Sequence, residues 1–152
     1  MPIQDTLKQL GLEIPPVPAA LAAYIPSKRS GNLIFTSGQL PLVAGKLRKT
    51  GKVGKDLSLE EAKEEAKQCV LNALAATLLH IESLEKIKSI VKLGVFVAGT
   101  PEFTEQHLVA NGASELLAAI FGDKGKHARF AIGVSSLPLD ASVELEMVAE
   151  VE

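Results

Sequence analysis

The sequence has no tryptophan and a single cysteine, and only 4% of its 152 residues are aromatic. One cysteine, Cys69, excludes an internal disulfide and fits a reducing compartment. Scarce rings leave a core of Ala, Leu and Val, which suits a chain that covers an extra apolar sheet face by association. A charge excess is missing as well. Sixteen Lys and Arg against eighteen Asp and Glu give a net charge of −2, so nothing draws the chain as a whole to nucleic acid, although a local basic pocket stays open. No charged segment followed by an apolar one opens the chain, and no apolar run reaches membrane-spanning length. A cytoplasmic protein is the default expectation. Repeats, low-complexity tracts and linkers are also absent, and the length suits one domain over 1–152.

The residues that are present predict a β-β-(loop)-α-β-α-β-β order. A short helix over 3–10 has Ile3, Leu7 and Leu10 on one side and Gly11 to stop it. Pro15, Pro16 and Pro18 then enforce an extended segment. Ala20–Pro26 and Leu33–Ser37 read as strands of a hairpin around the turn residues 27–32. The Lys- and Gly-rich stretch 46–55 reads as an exposed loop or irregular ribbon with little core. Ser58 and Glu61 form a capping box, opening a helix that should run to about Ile81. Its apolar stripe is Leu59, Ala62, Ala66, Cys69, Ala73 and Thr77. A strand over 89–98 alternates Val91, Leu93, Val95 and Val97 toward a core. Thr100-Pro101 is expected to cap a second helix running to Phe121, with Gly122 ending it. Gly112 inside that helix calls for a close packing contact or a nearby site.

The last strands, 128–135 and 142–151, are the informative ones. Val143, Leu145, Met147, Ala149 and Val151 make one apolar face, leaving Glu144 and Glu146 on the other. In the preceding strand Phe130, Ile132 and Val134 read as core, opposite Arg129, Ala131 and Gly133. If the two strands pair as a hairpin, Arg129 shares a face with Glu144 and Glu146, beside small residues that leave room for a ligand or another subunit. On alternation alone the blander reading, a salt bridge across the sheet, has the advantage, because surface charge pairs are common and weak.

Several blocks together carry a resemblance. They are Tyr24; Gly31-Asn32 through Ser37-Gly38-Gln39-Leu40-Pro41; Asn111 through Leu117; Phe121-Gly122; His127-Ala128-Arg129; Leu137-Pro138; and Val143 through Glu146. This set resembles the Rid (reactive-intermediate deaminase, also YjgF or L-PSP) superfamily over about residues 20–151, leaving 1–19 as an N-terminal extension. The resemblance implies an α+β, chorismate-mutase-like fold: a mixed β-sheet with two main helices on one face, assembled as a homotrimeric barrel with clefts between subunits. It also implies hydrolysis of small carboxylate-bearing enamines and imines, such as 2-aminoacrylate, to 2-keto acids and ammonia, with no cofactor and no metal.

By that resemblance Arg129 grips the substrate carboxylate, as a planar guanidinium does through parallel hydrogen bonds. Glu144 handles the proton of the attacking water. Tyr24, Ser37 and Gly38 line the cleft, Asn111 or Ser114 supplies an amide or hydroxyl, and Ala131 and His127 stand near the arginine. His80, His107 and His127 lack a metal-ligand spacing. The chain departs from the deaminase branch at Ala131, where a cysteine is common, and at Ala22-Ala23, where Gly-Pro is usual. These departures keep a non-catalytic small-carboxylate-binding trimer in view. An endoribonuclease is the third reading, resting on the basic stretch Lys46, Arg48, Lys49, Lys52 and Lys55; it lacks an aromatic stacking platform.

Overall fold

The structure, a computed structural model, describes residues 1–17 and 23–152. Its elements run α1 (Ile3–Gln9), β1 (Ser27–Ser30), β2 (Leu33–Thr36), β3 (Leu42–Val43), β4 (Lys46–Leu47), α2 (Leu59–Thr77), β5 (Ile87–Ala98), α3 (Gln106–Phe121), β6 (Ala128–Val134) and β7 (Val143–Val151). One five-stranded sheet has the order β1-β2-β7-β5-β6, and β3-β4 forms a separate two-stranded ribbon. The β5–β6 pair is parallel and the other pairs in the large sheet are antiparallel. Helices α2 and α3 pack on each other, and their buried residues share one core with Leu93, Val95, Leu145 and Met147 of the sheet.

Helix α2 begins where expected. The Ser58 side chain accepts from the Glu61 N–H at 3.1 Å, and the Glu61 carboxylate accepts from the Ser58 N–H at 3.0 Å. It ends at Thr77, earlier than Ile81, and Leu79 beyond it is exposed. Cys69 is buried on its apolar stripe, as its spacing predicts. Gly112 has the close contact it called for: a Cβ there would lie 2.6 Å from the Lys63 carbonyl oxygen of α2. In α1, Ile3 and Leu7 enter the core beside α3, whereas Leu10 stays exposed.

Several local expectations need correction. Of the strand expected over Ala20–Pro26, residues 20–22 lie outside the described residues, and Ala23–Pro26 is bent, without strand. The hairpin instead begins at Ser27 and turns only at Gly31-Asn32. This strand is an edge, and three of its four residues are exposed, so no hydrophobic alternation marks it. The stretch 46–55 is less peripheral than its lysines suggest, because Val53 is fully buried and its N–H bonds to the Ala98 carbonyl. Thr100-Pro101 makes a turn, closed by the Phe103 N–H on the Thr100 carbonyl, and α3 starts only at Gln106. Val91 is 39% exposed. Register shifts around it in β5 turn Ile87 and Ile90 inward, so Ile90 takes the core position that alternation assigned to Val91.

The largest correction concerns the last two strands. They form no hairpin, because β5 lies between β6 and β7. Leu93 pairs with Arg129 on one side and Met147 on the other, which places Arg129, Ala131 and Gly133 on the helix-facing side. Phe96 pairs with Ile132 and Glu144, which places Phe130, Ile132 and Val134 on the open side with Glu144 and Glu146. The alternation within β6 was legible, but its two faces are the reverse of the expectation. No described helix is long and apolar enough to cross a membrane.

Candidate functional site

The sequence-predicted site residues separate into two groups. The first surrounds Glu144 at the end of β2 and the start of β7. Residues 37–41 leave the sheet there and are tied down from several directions. Gln39 exchanges two backbone hydrogen bonds with Leu145, of 2.7 and 3.1 Å. Its buried side chain donates to the Ser37 carbonyl at 3.2 Å. From α2, the Asn72 amide donates to the carbonyls of Leu40 and Leu42 at 2.9 and 3.0 Å. These bonds set Gly38 directly against Glu144, where a Cβ would lie 3.0 Å from Glu144 Oε1. Glycine is therefore the residue that lets the carboxylate rest on the backbone.

Ser37 donates its hydroxyl to the Ile25 carbonyl at 2.6 Å, which anchors the segment carrying Tyr24. The Ser37 proton is thus committed, and its lone pairs remain for a ligand donor. Tyr24 is exposed. Among the described residues, Glu144 takes no side-chain hydrogen bond or ion pair. Burial raises its carboxyl above the ordinary range and the neighbouring Glu146 adds to the effect. Beneath it, burial pushes the Cys69 thiol well up, with the charges of Glu65 and Glu144 contributing.

The second group lies on the helix-facing side at the sheet edge. Arg129 of β6 reaches α3, where Nη1 donates to Asn111 Oδ1 at 2.9 Å and to Ser114 Oγ at 3.1 Å. Its Nη2 reaches the His107 carbonyl at 3.4 Å. Ser114 also meets His127 Nε2 at 2.9 Å, and His127 Nδ1 lies 2.6 Å from the Gly125 carbonyl. Asn111 and Ser114, alternatives at the sequence level, are both present because they sit one helical turn apart and face the same guanidinium. Ala131 follows on the same side, half-buried, with no titratable group of its own. A cup of about 300 Å³ opens beside Arg129, His127 and Ser114, with Lys126 on its rim. A larger cavity of about 800 Å³ lies further along β6, near Phe103, Gln106 and Gly133, and holds neither Arg129 nor Glu144.

Arg129 and Glu144 therefore occupy opposite sides of the sheet within one chain, and no salt bridge joins them. The open side that carries Glu144 mixes charge with apolar surface: Glu146 and Lys92 share it, and Lys92 Nζ lies 5.8 Å from the centre of the Phe130 ring. Phe35 and Ile132 are 43% and 45% exposed, and the rings of Phe96 and Phe130 meet edge-to-face at 5.3 Å. Among the described residues, no three His, Cys, Asp or Glu side chains gather as a metal-binding group. Sequence reasoning missed Gln39 and Asn72. A signal existed for Asn72, a lone amide within the buried run from Val70 to Thr77. Gln39 stood within the Ser37–Pro41 block but was given no role of its own, because a glutamine in a loop is ordinarily solvated.

The mixed sheet backed by two helices is the α+β architecture of the YjgF/chorismate-mutase-like fold. The chain belongs to that family: its model, "YjgF/chorismate_mutase-like, putative endoribonuclease", matches residues 4–151. The chain is 39% identical over 151 residues to Protein TCP17 of Trypanosoma cruzi, covering 97% of this chain and 93% of that protein. It is 31% identical over 132 residues to the 2-iminobutanoate/2-iminopropanoate deaminase of Escherichia coli K12, covering 87% and 90%. The crystal structure of Atu1372 from Agrobacterium tumefaciens, a protein of unknown function, matches with a TM-score of 0.93 and 45% identity, covering 99% of this chain and 92% of that one.

Proposed function

We propose that the protein is a hydrolytic deaminase of small 2-imino acids and their enamine tautomers, with sites built between copies of the chain. Arg129 of one copy holds the substrate carboxylate, and Glu144 of a neighbouring copy faces the imine carbon. The carrying observation is Glu144, a carboxylate laid against Gly38 with no side-chain partner among the described residues and a raised affinity for protons. Such a group exchanges protons closer to neutrality than an ordinary carboxylate. It takes a proton from water as the oxygen bonds to C2 of the imine. The proton then passes to the nitrogen of the resulting carbinolamine, the carbinolamine hydroxyl returns a proton to Glu144 as the C–N bond breaks, and a 2-keto acid and ammonia leave. An enamine first takes a proton at C3 to become the imine. Imine hydrolysis is already accessible in water, so placement and charge complementarity carry much of the work. The identity to the Escherichia coli deaminase supports this substrate class.

Two copies are needed because one chain keeps Arg129 and Glu144 on opposite sides of its sheet. The exposed Phe35 and Ile132 supply apolar surface for the association. A trimer, with the open faces turned inward as a barrel, is the assembly proposed.

A small-carboxylate-binding protein without turnover is the second reading. Ala131 favours it, since it leaves no reactive side chain beside Arg129. RNA cleavage is less well supported. Three cations of the basic stretch are engaged by carboxylates: Arg48 with Glu65 at 3.4 Å, Lys49 with Glu61, and Lys52 with Asp140 at 3.9 Å. This leaves little free basic surface for a phosphate backbone.

The deciding experiment generates 2-aminoacrylate and 2-iminobutanoate in situ and follows keto-acid and ammonia release. Acceleration by the wild-type chain, lost in Arg129→Ala with its assembly intact by light scattering, supports the deaminase. A folded oligomer that accelerates neither substrate moves the reading to the binding protein, and a monomer removes the interfacial site.

A further inference from the structure

We infer that His127 is a positioning residue that sets the carboxylate grip of Arg129 through Ser114, and does not itself touch the substrate. The inference rests on the proposed carboxylate site and adds to it the device that aims the guanidinium. The order of the bonds follows from the chemistry of the partners. The Gly125 carbonyl can only accept, so the hydrogen of a neutral His127 ring sits on Nδ1, 2.6 Å away. Nε2 then offers a lone pair to Ser114, 2.9 Å away, and the Ser114 hydroxyl donates to it. With its proton turned toward the ring, Ser114 Oγ presents lone pairs to Arg129 Nη1 at 3.1 Å. A freely rotating hydroxyl would point its proton elsewhere part of the time. The ring fixes it as an acceptor for the arginine.

The count of donors gives the consequence. A guanidinium has five N–H groups. Nη1 spends two, on Asn111 and Ser114, and Nη2 spends one on the His107 carbonyl. Nε–H and one Nη2–H remain, the number that a bidentate carboxylate takes. Held from behind in this way, the arginine loses less side-chain freedom on binding than a free one. Residues 122–125 form a short 3-10 turn that presents the Gly125 carbonyl, so the relay runs from that turn to the binding groups.

Two measurements on the full-length chain test this. Long-range proton–nitrogen NMR reports the His127 tautomer directly. Nδ1–H is expected, and Nε2–H in the neutral ring overturns the inference without touching the functional reading. Calorimetric titration then compares 2-oxobutanoate with its amide, which lacks the carboxylate. His127→Phe and Ser114→Ala should each weaken 2-oxobutanoate by about tenfold while leaving the amide unchanged. His127→Gln, whose amide oxygen can accept from Ser114, should recover part of the loss. Unchanged 2-oxobutanoate affinity in His127→Phe, or equal losses for acid and amide, rejects the positioning role. An Arg129→Ala variant that binds 2-oxobutanoate as well as wild type removes the carboxylate site, and the relay's purpose with it.

Discussion

The two halves of the candidate site are built on opposite principles. Around Arg129 nearly everything is bonded: Asn111, Ser114 and the His107 carbonyl hold the guanidinium, and His127 holds Ser114. Around Glu144 the backbone is bonded and the side chain is left alone. Gln39, Asn72 and Leu145 fix residues 37–42, yet among the described residues the carboxylate takes no partner, and it sits beside another carboxylate. A group that must recognise a fixed charge gains from being immobile. A group that must gain and lose a proton gains from an environment that keeps its two protonation states close in energy. The difference fits the roles proposed above, binding for one half and proton transfer for the other.

The sharpest way to break that assignment is to remove each group and then mix the variants. Glu144→Gln should lower kcat by roughly 10²–10⁴-fold, and Arg129→Ala should lower kcat/KM by about 10²-fold. Co-expression of the two variants should restore activity at roughly a quarter of the sites, because each site as proposed draws one residue from each of two copies. No recovery from mixed oligomers means that the halves do not meet across an interface.

Next in size are two glycine substitutions, one for each half. Gly112→Ala drives a Cβ against the Lys63 backbone, which cannot move away easily. It should destabilise the fold by about 1–3 kcal/mol in chemical denaturation and loosen the helix that carries Asn111 and Ser114. At Gly38→Ala the nearest contact is the movable Glu144 side chain, so activity should fall with little change in the denaturation midpoint. The opposite pattern in either variant contradicts the placement of that half.

Smaller is the expected shift of a pH profile. Activity that needs ionised Glu144 falls as pH drops through a value above the usual carboxylate range. Removing the neighbouring negative charge lowers that value, so Glu146→Gln should move the acid limb of kcat to lower pH. An acid limb that stays in place disconnects Glu144 from the proton step.

The smallest effect is on stability. Glu144 holds its proton more tightly in the folded chain than in the unfolded one. Its contribution is present below the unfolded pKa and is lost as pH rises through the window up to the raised folded value. Glu144→Gln should therefore raise Tm slightly near pH 7 and leave it unchanged below the carboxylate range. The group is half-buried, so solvent keeps the gain small. A lower Tm at neutral pH would mean that the carboxylate has a stabilising partner.

Much of the fold was legible because its signals are local. The Ser58–Glu61 box, the stripe of α2 and the strict alternation of β7 all depend on residues close in sequence, and Gly112 stands out within its own helix although its contact, Lys63, is distant. The errors fell where a local signal had a non-local meaning. Thr100-Pro101 looks like a helix start, but the chain uses it for a turn before Gln106. Val91 keeps the period of its neighbours, but register shifts in β5 rotate it outward. For the candidate site, the blocks around Ser37–Gly38, Asn111–Ser114 and His127–Arg129 were legible as blocks, and their contacts were not.

The sequence by itself determined which residues alternate and where α2 begins, since propensity, capping and spacing act over a few residues. Tertiary structure alone decided that β5 stands between β6 and β7. Alternation says that two faces differ, but which face meets the helices depends on the neighbouring strand. That single insertion sends Arg129 to the helix side and Glu144 to the open side of the same sheet.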